Sequence, residues 1–394
     1  MTGYYLVRDG QGVTAAQGFE AAGVAAGIKA SGKPDLAMVR NLGPDAHAAG
    51  VFTTNRVTAA PVVHSRAVLV NNVARGLVYN SGGANACTGS AGLGDAREMG
   101  AVAAEAMGLH PDDVVVASTG LIGVQLPMHK VRAGITAAAA ALSPGGGPEA
   151  ARAIMTTDTV AKTCDITTDD GWTVGGMAKG AGMLAPGLAT MLVAITTDAV
   201  VRPDELDRAL ATACRLTFDR LDSDGCMSTN DTVVALASGA SGIAVDEPEL
   251  TDVLVALCGD LARQLLADAE GAEHEIAIEV VRAASIEDAI EVGRTISRSN
   301  LFKTAVAGND PNWGRVLAAI GTTGAEFDPT MLDVSFNGVM VCQGGAIGEP
   351  RENCDLTGRK VLVRVDLHAG NETATILTND LTHGYVTENA DYSS

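Results

Sequence analysis

Apolar and polar positions along the chain follow two periods. Short apolar or alternating runs rich in β-branched residues recur at Gly50–Phe52, Gly76–Tyr79, Val114–Ala117, Met191–Thr196, Thr232–Ala237, Glu275–Val281 and Val361–Asp366, and each predicts a strand. Four stretches carry apolar residues at helical spacing, with glycine or proline stops and, in all but the second, acidic starts: "GDAREMGAVAAEAMG" from Gly94, "MHKVRAGITAAAAAL" ending at Leu142, "PDELDRALATACRLTFDRL" from Pro203 and "ELTDVLVALCGDLARQLLADAEG" from Glu249. Ser285, with Asp288 three residues on, predicts a capped start for a further helix, Ile286 to Arg298. Asp310 and Pro311 read as the capped start of a helix through Trp313 and Arg315. "KVLVRVDLHAGNETATILTNDL" reads as a hairpin turning near Gly370–Asn371. The sum is an α/β fold in which helices cover sheets. A domain boundary is expected near residue 246, where "SGASGIAVDEPEL" punctuates the chain.

Composition narrows the class. Hydrophobic residues at 47% against 19% charged exclude a disordered chain, and aromatics at 3% leave the core to Ala, Val, Leu and Ile. A net charge of −20 repels nucleic acid and anionic membranes alike, so neither partner is expected. The opening "MTGYYLVRDG" has no basic segment followed by an apolar one, and no apolar run reaches about 18 residues, so a cytoplasmic protein is expected. Seven scattered cysteines with no CxxC pair fit reduced thiols rather than a disulfide framework or a zinc site. The histidines are isolated, and HExxH, GxSxG, EF-hand and GxxxxGK[ST] patterns are missing; no metal and no cofactor is expected. The glycine cluster "NSGGANACTGSAGLGDA" from Asn80 is open to two readings, an anion cradle before the helix after Gly94 or a tightly packed turn.

The remaining chemistry lies in hydroxyl nucleophiles. "KGAGMLAPGLATML" runs from a glycine-rich loop straight into an apolar strand, with Ala189–Thr190 at the junction. A threonine hydroxyl needs a base, and no histidine here is an evident one. Cutting the peptide bond before Thr190 would supply it: the freed α-amino group has a reference pKa of about 7.7–8.0 and accepts a proton near neutrality. Glycines 180, 182 and 187, with the fixed φ of Pro186, allow a tight path that turns the Thr190 hydroxyl toward the Ala189 carbonyl. The plainer reading is a threonine placed for strand propensity, and local sequence leaves both open.

Longer motifs bear on that choice. "GFEAAGVAAGIKASGKPDLAMV", "VFTTNRVTAAPV", "NSGGANACTG", "ASTGLIG", "AIMTTDT", "KGAGMLAPGLATML", "KTAVAGNDPNWGRV" and the closing "NADYSS" occur in this order over essentially the whole chain. Through them the chain resembles the ornithine acetyltransferase, or bifunctional arginine biosynthesis, family. The resemblance implies acetyl transfer from N-acetylornithine to glutamate by a ping-pong route. The precursor cleaves itself at Ala189/Thr190 into an α chain (1–189) and a β chain (190–394), and Thr190 becomes acetylated. It implies an oxyanion hole at Thr119 and Gly120, and substrate contacts at Thr157, Lys179, Thr190, Glu270, Asn389 and Ser394. A cation such as Lys179 suits an α-carboxylate and Glu270 suits an ammonium. Members commonly form heterotetramers of two α and two β chains. The implied fold is a layered sheet sandwich flanked by helices, with a second, smaller α/β domain. Bifunctional members also accept acetyl-CoA, and no residue here decides that point. Leu188 and Ser394 depart from the methionine and threonine often found there. Two other readings remain in view: a self-cleaving aminopeptidase of similar architecture, and a non-catalytic anion-binding module.

Overall fold

The computed structural model describes residues 3–185 and 191–391; Ala189, Thr190 and Ser394 lie outside the described residues. Two compact units are present. The first takes the chain up to Ala181, the stretch ending at Asp219, and Met227–Leu265; the second takes short segments beginning at Gly182 and Arg220 and everything from Leu266 on.

The first unit is a sandwich of two sheets between two helical layers. One sheet has six strands, in the order Tyr4–Arg8, Lys162–Thr168, Thr173–Lys179, Leu192–Thr197, Thr232–Ala237 and His47–Phe52. The other has four, in the order Phe19–Val24, Leu36–Asn41, Gly76–Asn80 and Val114–Ser118. Alternation within a strand sets which layer each side chain enters. Leu77 and Tyr79 join Val39, Ala117, Met177, Leu192, Ala194 and Val234 in a core between the sheets. Val78, between them, joins Met38 and Val116 on the opposite face, under Met99 and Ala103 of the helix Gly89–Met107 and Val131 and Ile135 of the helix Met128–Ala141. The six-stranded sheet is covered by Pro203–Leu216 and Glu247–Ala267; a Cβ at Gly176 would lie 3.0 Å from Leu257 and 3.1 Å from Leu261. Strands buried on both faces need no polar alternation, which is why "LVAITT" reads as a continuous run.

The second unit is α/β as well, with a six-stranded sheet in the order Ala346–Ile347, Val339–Gln343, Asp333–Phe336, Lys360–Asp366, Glu275–Ala283 and Glu372–Asn379. Ile286–Ser297, Asn300–Ala307 and Trp313–Ile320 close its core. The boundary expected near 246 falls at the start of the helix Glu247–Ala267, whereas the second unit's main segment begins at that helix's far end.

Two local expectations are corrected. Lys360–Asp366 and Glu372–Asn379 are strands but not a hairpin: Glu275–Ala283 runs between them, parallel to the first and antiparallel to the second. The turn at Gly370 is tied instead to the central strand, with the Ala369 and Gly370 amides both donating to Arg282 O at 2.8 Å. The cap of Trp313–Ile320 is Asn312, whose Oδ1 accepts from Arg315 N at 3.2 Å, while Asp310 Oδ2 accepts from Asn312 Nδ2 at 2.8 Å and so orients the cap. The Ser285 cap is as expected, its Oγ accepting from Asp288 N at 3.0 Å. All seven cysteines are free thiols, and no described helix is long and apolar enough to cross a membrane.

Candidate active site

In the first unit, the parallel strands Gly76–Asn80 and Val114–Ser118 end level, with Asn80 opposite Ser118. Their carboxyl ends release two loops at the kind of place where α/β sheets gather binding groups. Asn80 organises both loops. Its Nδ2 donates to Ser118 Oγ at 2.6 Å, its carbonyl accepts from Thr119 N at 3.0 Å, and its Oδ1 accepts from Gly82 N and Gly83 N at 3.2 and 3.1 Å. Those two amides are therefore engaged within a tight turn, the second of the two readings of the glycine cluster.

Thr119 is buried and Gly120 follows at φ +132°; a Cβ there would sit 2.8 Å from Gly83 N. Only glycine fits that backbone at that approach. Two consecutive residues, Asn230 and Asp231, then bring the other elements in. Asn230 Nδ2 donates to Ala84 O at 2.6 Å and Ser118 O at 2.8 Å, locking the two loops together. Asp231 Oδ1 accepts from Met191 N at 3.1 Å, and Thr232 N donates to Met191 O at 3.2 Å, fixing the residue that follows Thr190.

Lys179 is not the solvated loop lysine that its glycine-rich surroundings suggest. It ends the strand Thr173–Lys179, is 1% exposed, and donates to Thr156 Oγ1 at 3.2 Å. Beside it Asp158 accepts from Lys162 Nζ at 2.6 Å, from Gly180 N at 2.7 Å and from Thr156 N at 2.9 Å. Burial alone would raise the Asp158 carboxyl, but the charges of Lys162 and Lys179 and the bond from Lys162 outweigh it and hold it down at about 2. Thr157 is half-buried within the same turn. The charge of Lys179 also acts on Asp231, where burial nevertheless pushes the carboxyl well above its ordinary value.

In the second unit Glu270 Oε2 accepts from Asn389 Nδ2 at 2.9 Å, so two of the expected contacts meet. Asn389 is carried by the helix His383–Asp391, which docks against Gly271. A cavity of about 230 Å³ opens here, lined by Asp224, Glu270, Arg298, Lys303, Asp380 and Tyr385 among others. Lys303 donates to Ser223 O and to Thr378 Oγ1, the latter at 3.2 Å, and burial pushes its ammonium down to about 8 against the charges of Asp224, Asp222 and Asp380. Asp224 Oδ2 accepts from Met183 N at 2.7 Å, and Ser223 N donates to Leu184 O at 2.5 Å, so the same loop holds the glycine-rich approach. Sequence reasoning passed over Asp158, Asp224, Asn230, Asp231 and Lys303. The one available signal was a polar pair, Asn230–Asp231, set directly before an apolar strand.

Gly271 gives a direct test of this docking. Its φ is +60°, and a Cβ would meet Tyr385 N at 2.1 Å and Gly384 C at 2.3 Å. Gly271→Ala is expected to lower stability by more than the roughly 1–2 kcal/mol of the left-handed conformation alone, to expose residues 383–391 to limited proteolysis, and to melt several degrees below wild type.

The ArgJ family model matches residues 20–394. The chain is 60% identical to the arginine biosynthesis bifunctional protein ArgJ of Streptomyces avermitilis over 382 residues, 97% of this chain and 100% of that protein. It is 54% identical to the protein of the same name from Mycobacterium leprae over 392 residues, 98% of this chain and 96% of that one. Among solved structures, ornithine acetyltransferase complexed with ornithine from Mycobacterium tuberculosis aligns at 52% identity and a TM-score of 0.46, covering 48% of this chain and 100% of that chain.

Proposed function

Because the chain belongs to the ArgJ family, we propose that it is an acetyltransferase of arginine biosynthesis that moves the acetyl group of N-acetylornithine to L-glutamate through an acetyl-Thr190 intermediate. The nucleophile arises by self-cleavage. Thr190 Oγ attacks the Ala189 carbonyl carbon, the C–N bond breaks as the hydroxyl proton passes to the leaving amine, and water hydrolyses the resulting ester. The products are an Ala189 carboxylate and a free Thr190 amine. In the forward half-reaction that amine takes the Oγ proton while Oγ attacks the acetyl carbonyl, then returns the proton to the departing ornithine nitrogen. In the second half-reaction the glutamate amine attacks the Thr190 ester and Oγ leaves with a proton. Each tetrahedral intermediate places its oxyanion on the Thr119 hydroxyl and the Gly120 N–H.

The observation that carries this reading is the pair Asn230–Asp231. One residue holds the carbonyls of Ala84 and Ser118 beside Thr119–Gly120, and the next holds the amide of Met191 beside Thr190. Lys179 serves the substrate α-carboxylate, with Thr157 in the neighbouring turn; a buried ammonium binds a carboxylate better than a solvated one because less water screens it. Glu270 serves the ornithine side-chain ammonium, with Asn389 orienting it, and Ser394 is a further substrate contact. The chain works in the cytoplasm as a heterotetramer of two α and two β chains. Assaying glutamate with N-acetylornithine and with acetyl-CoA separately decides whether acetyl-CoA is a second donor.

The covalent route is checked with N-acetylornithine labelled in its acetyl group and no glutamate. One labelled acetyl group is expected on the fragment beginning at Thr190, released as N-acetylglutamate when glutamate is added. A protein that transfers label only when both substrates are present and never carries it would overturn the ping-pong route. Thr119→Val keeps the side chain's shape and removes its hydroxyl. It is expected to lower kcat by about 100-fold with little change in KM, the lower end of what one oxyanion donor contributes.

A further inference from the structure

Lys303 opens the motif "KTAVAGNDPNWGRV", to which no task has yet been attached. It is 5% exposed, yet its ammonium donates only to neutral oxygens, Ser223 O and Thr378 Oγ1, and forms no ion pair among the described residues. A lysine buried so far without a counter-charge is rare. Three carboxylates act on it from a distance, and other donors hold each of them. Asp224 accepts from Met183 N and Cys226 N at 2.7 and 3.0 Å, and Asp222 from Arg298 Nε and Gly225 N at 2.8 and 3.1 Å. Asp380 is bonded to His274 through N at 3.0 Å and through Nδ1 at 2.7 Å. An ammonium has three N–H groups, so two bonds leave one over. Lys303 lines the same cavity of about 230 Å³ as Glu270, and so does Arg298, whose side chain makes no hydrogen bond among the described residues beyond the one to Asp222.

The chemistry of the two half-reactions indicates what these cations are for. One site serves two amino acids in turn, and they differ at the far end: the side chain of ornithine ends in an ammonium, that of glutamate in a carboxylate. A cavity lined by acids alone would repel glutamate, and one lined by bases alone would repel the donor. This cavity carries both signs, Glu270 with its orienting Asn389 on one side of the ledger and Lys303 with Arg298 on the other. Resting on the reading of Glu270 as the contact for the ornithine ammonium, we propose that Lys303 and Arg298 determine specificity for the acceptor by binding the side-chain carboxylate of glutamate. The remaining N–H of Lys303 and the terminal nitrogens of Arg298 donate to the two carboxylate oxygens, bonds strengthened by charge on both partners. Because Lys303 is buried, little water screens its charge. The amide of glutamine brings no counter-charge and leaves the buried ammonium unpaired, so the same two residues reject it.

The test separates the half-reactions in the full chain. The protein is loaded from N-acetylornithine labelled in its acetyl group, freed of small molecules, and mixed with glutamate or, separately, with glutamine; loss of label from the protein gives the rate of discharge. Lys303→Met keeps the length of the side chain and removes its charge. Discharge by glutamate at low concentration is expected to slow about 30-fold, the size of one hydrogen bond to a charged group, with discharge by glutamine little changed and loading slowed far less. Arg298→Gln is expected to reduce the preference for glutamate over glutamine about 5-fold, less than K303M because the guanidinium is half exposed. Glu270→Gln is expected to do the reverse, slowing loading more than discharge. A wild type that never loads, or that glutamate does not discharge, sinks the reading of the function itself, and an E270Q that loads normally removes the assignment of Glu270. With wild type active and E270Q slow to load, a K303M that keeps the wild-type preference for glutamate over glutamine overturns the role of Lys303, as does one that slows loading and both discharges alike. If K303M does not fold, R298Q with the wild-type preference overturns the proposal equally.

Discussion

Thr190→Ala is expected to yield one full-length species of 40.0 kDa by intact mass, where the proposed self-cleavage would split the wild type into two fragments meeting at Ala189/Thr190. Transfer activity in this variant falls by at least about 10⁴-fold, as it does when other covalent catalysts lose their nucleophile. This is the largest effect expected anywhere in the chain because one substitution removes two catalytic groups. The hydroxyl proposed to open the Ala189 peptide is gone, so the bond is expected to stay closed, and an amide nitrogen in a closed bond cannot act as a base. Thr190→Ser separates the two losses. It keeps a hydroxyl and is expected to be cut, more slowly, and to keep measurable activity, since the freed amine is unchanged. A Thr190→Ala chain that still splits at this bond would place the cutting chemistry on another residue and remove the case for Thr190.

The strands were legible because burial on both faces writes itself as β-branched apolar runs, and the Ser285 cap because a cap acts over three residues. Pairing was not legible. Lys360–Asp366 and Glu372–Asn379 look like a hairpin until Glu275–Ala283, some eighty residues earlier in sequence, takes the place between them. Thr119, Gly120 and Lys179 entered through a family pattern, not through periodicity, and the structure gives each a physical environment. The carboxylates were hidden for a different reason. Asp158 and Asp231 are ordinary residues in "MTTDT" and "MSTNDT". What distinguishes them is burial and the donors around them, which belong to the fold and to no local pattern.

That environment makes Asp158 the position of largest expected stability effect. Its carboxylate faces Lys162 and Lys179, both essentially buried, and also ties Gly180 N and Thr156 N. Asp158→Asn keeps the shape, removes the only negative charge of that trio, and turns one acceptor oxygen into a donor that meets other donors. Breaking a buried pair from one side costs about 3–5 kcal/mol, a large share of the roughly 5–15 kcal/mol that holds a domain. The variant is expected to melt far below wild type, and Lys162→Met in the same background should recover part of the loss by removing one of the charges that Asp158 balances. The pH dependence has a definite sign. Folding lowers this carboxyl to about 2, below its ordinary value, so its contribution is present above the usual carboxylate range and is lost as pH falls toward 2. The gap in stability between wild type and D158N should therefore stay constant near neutrality and narrow in acid. A gap that is small at neutrality, or that widens as pH falls, would mean that Asp158 is not the counter-charge of the two lysines. Because Lys179 is the cation assigned to the substrate carboxylate, the same variant is expected to raise KM for N-acetylornithine in whatever fraction remains folded: a lysine without Asp158 beside it, and with Gly180 released, is no longer held where the carboxylate arrives.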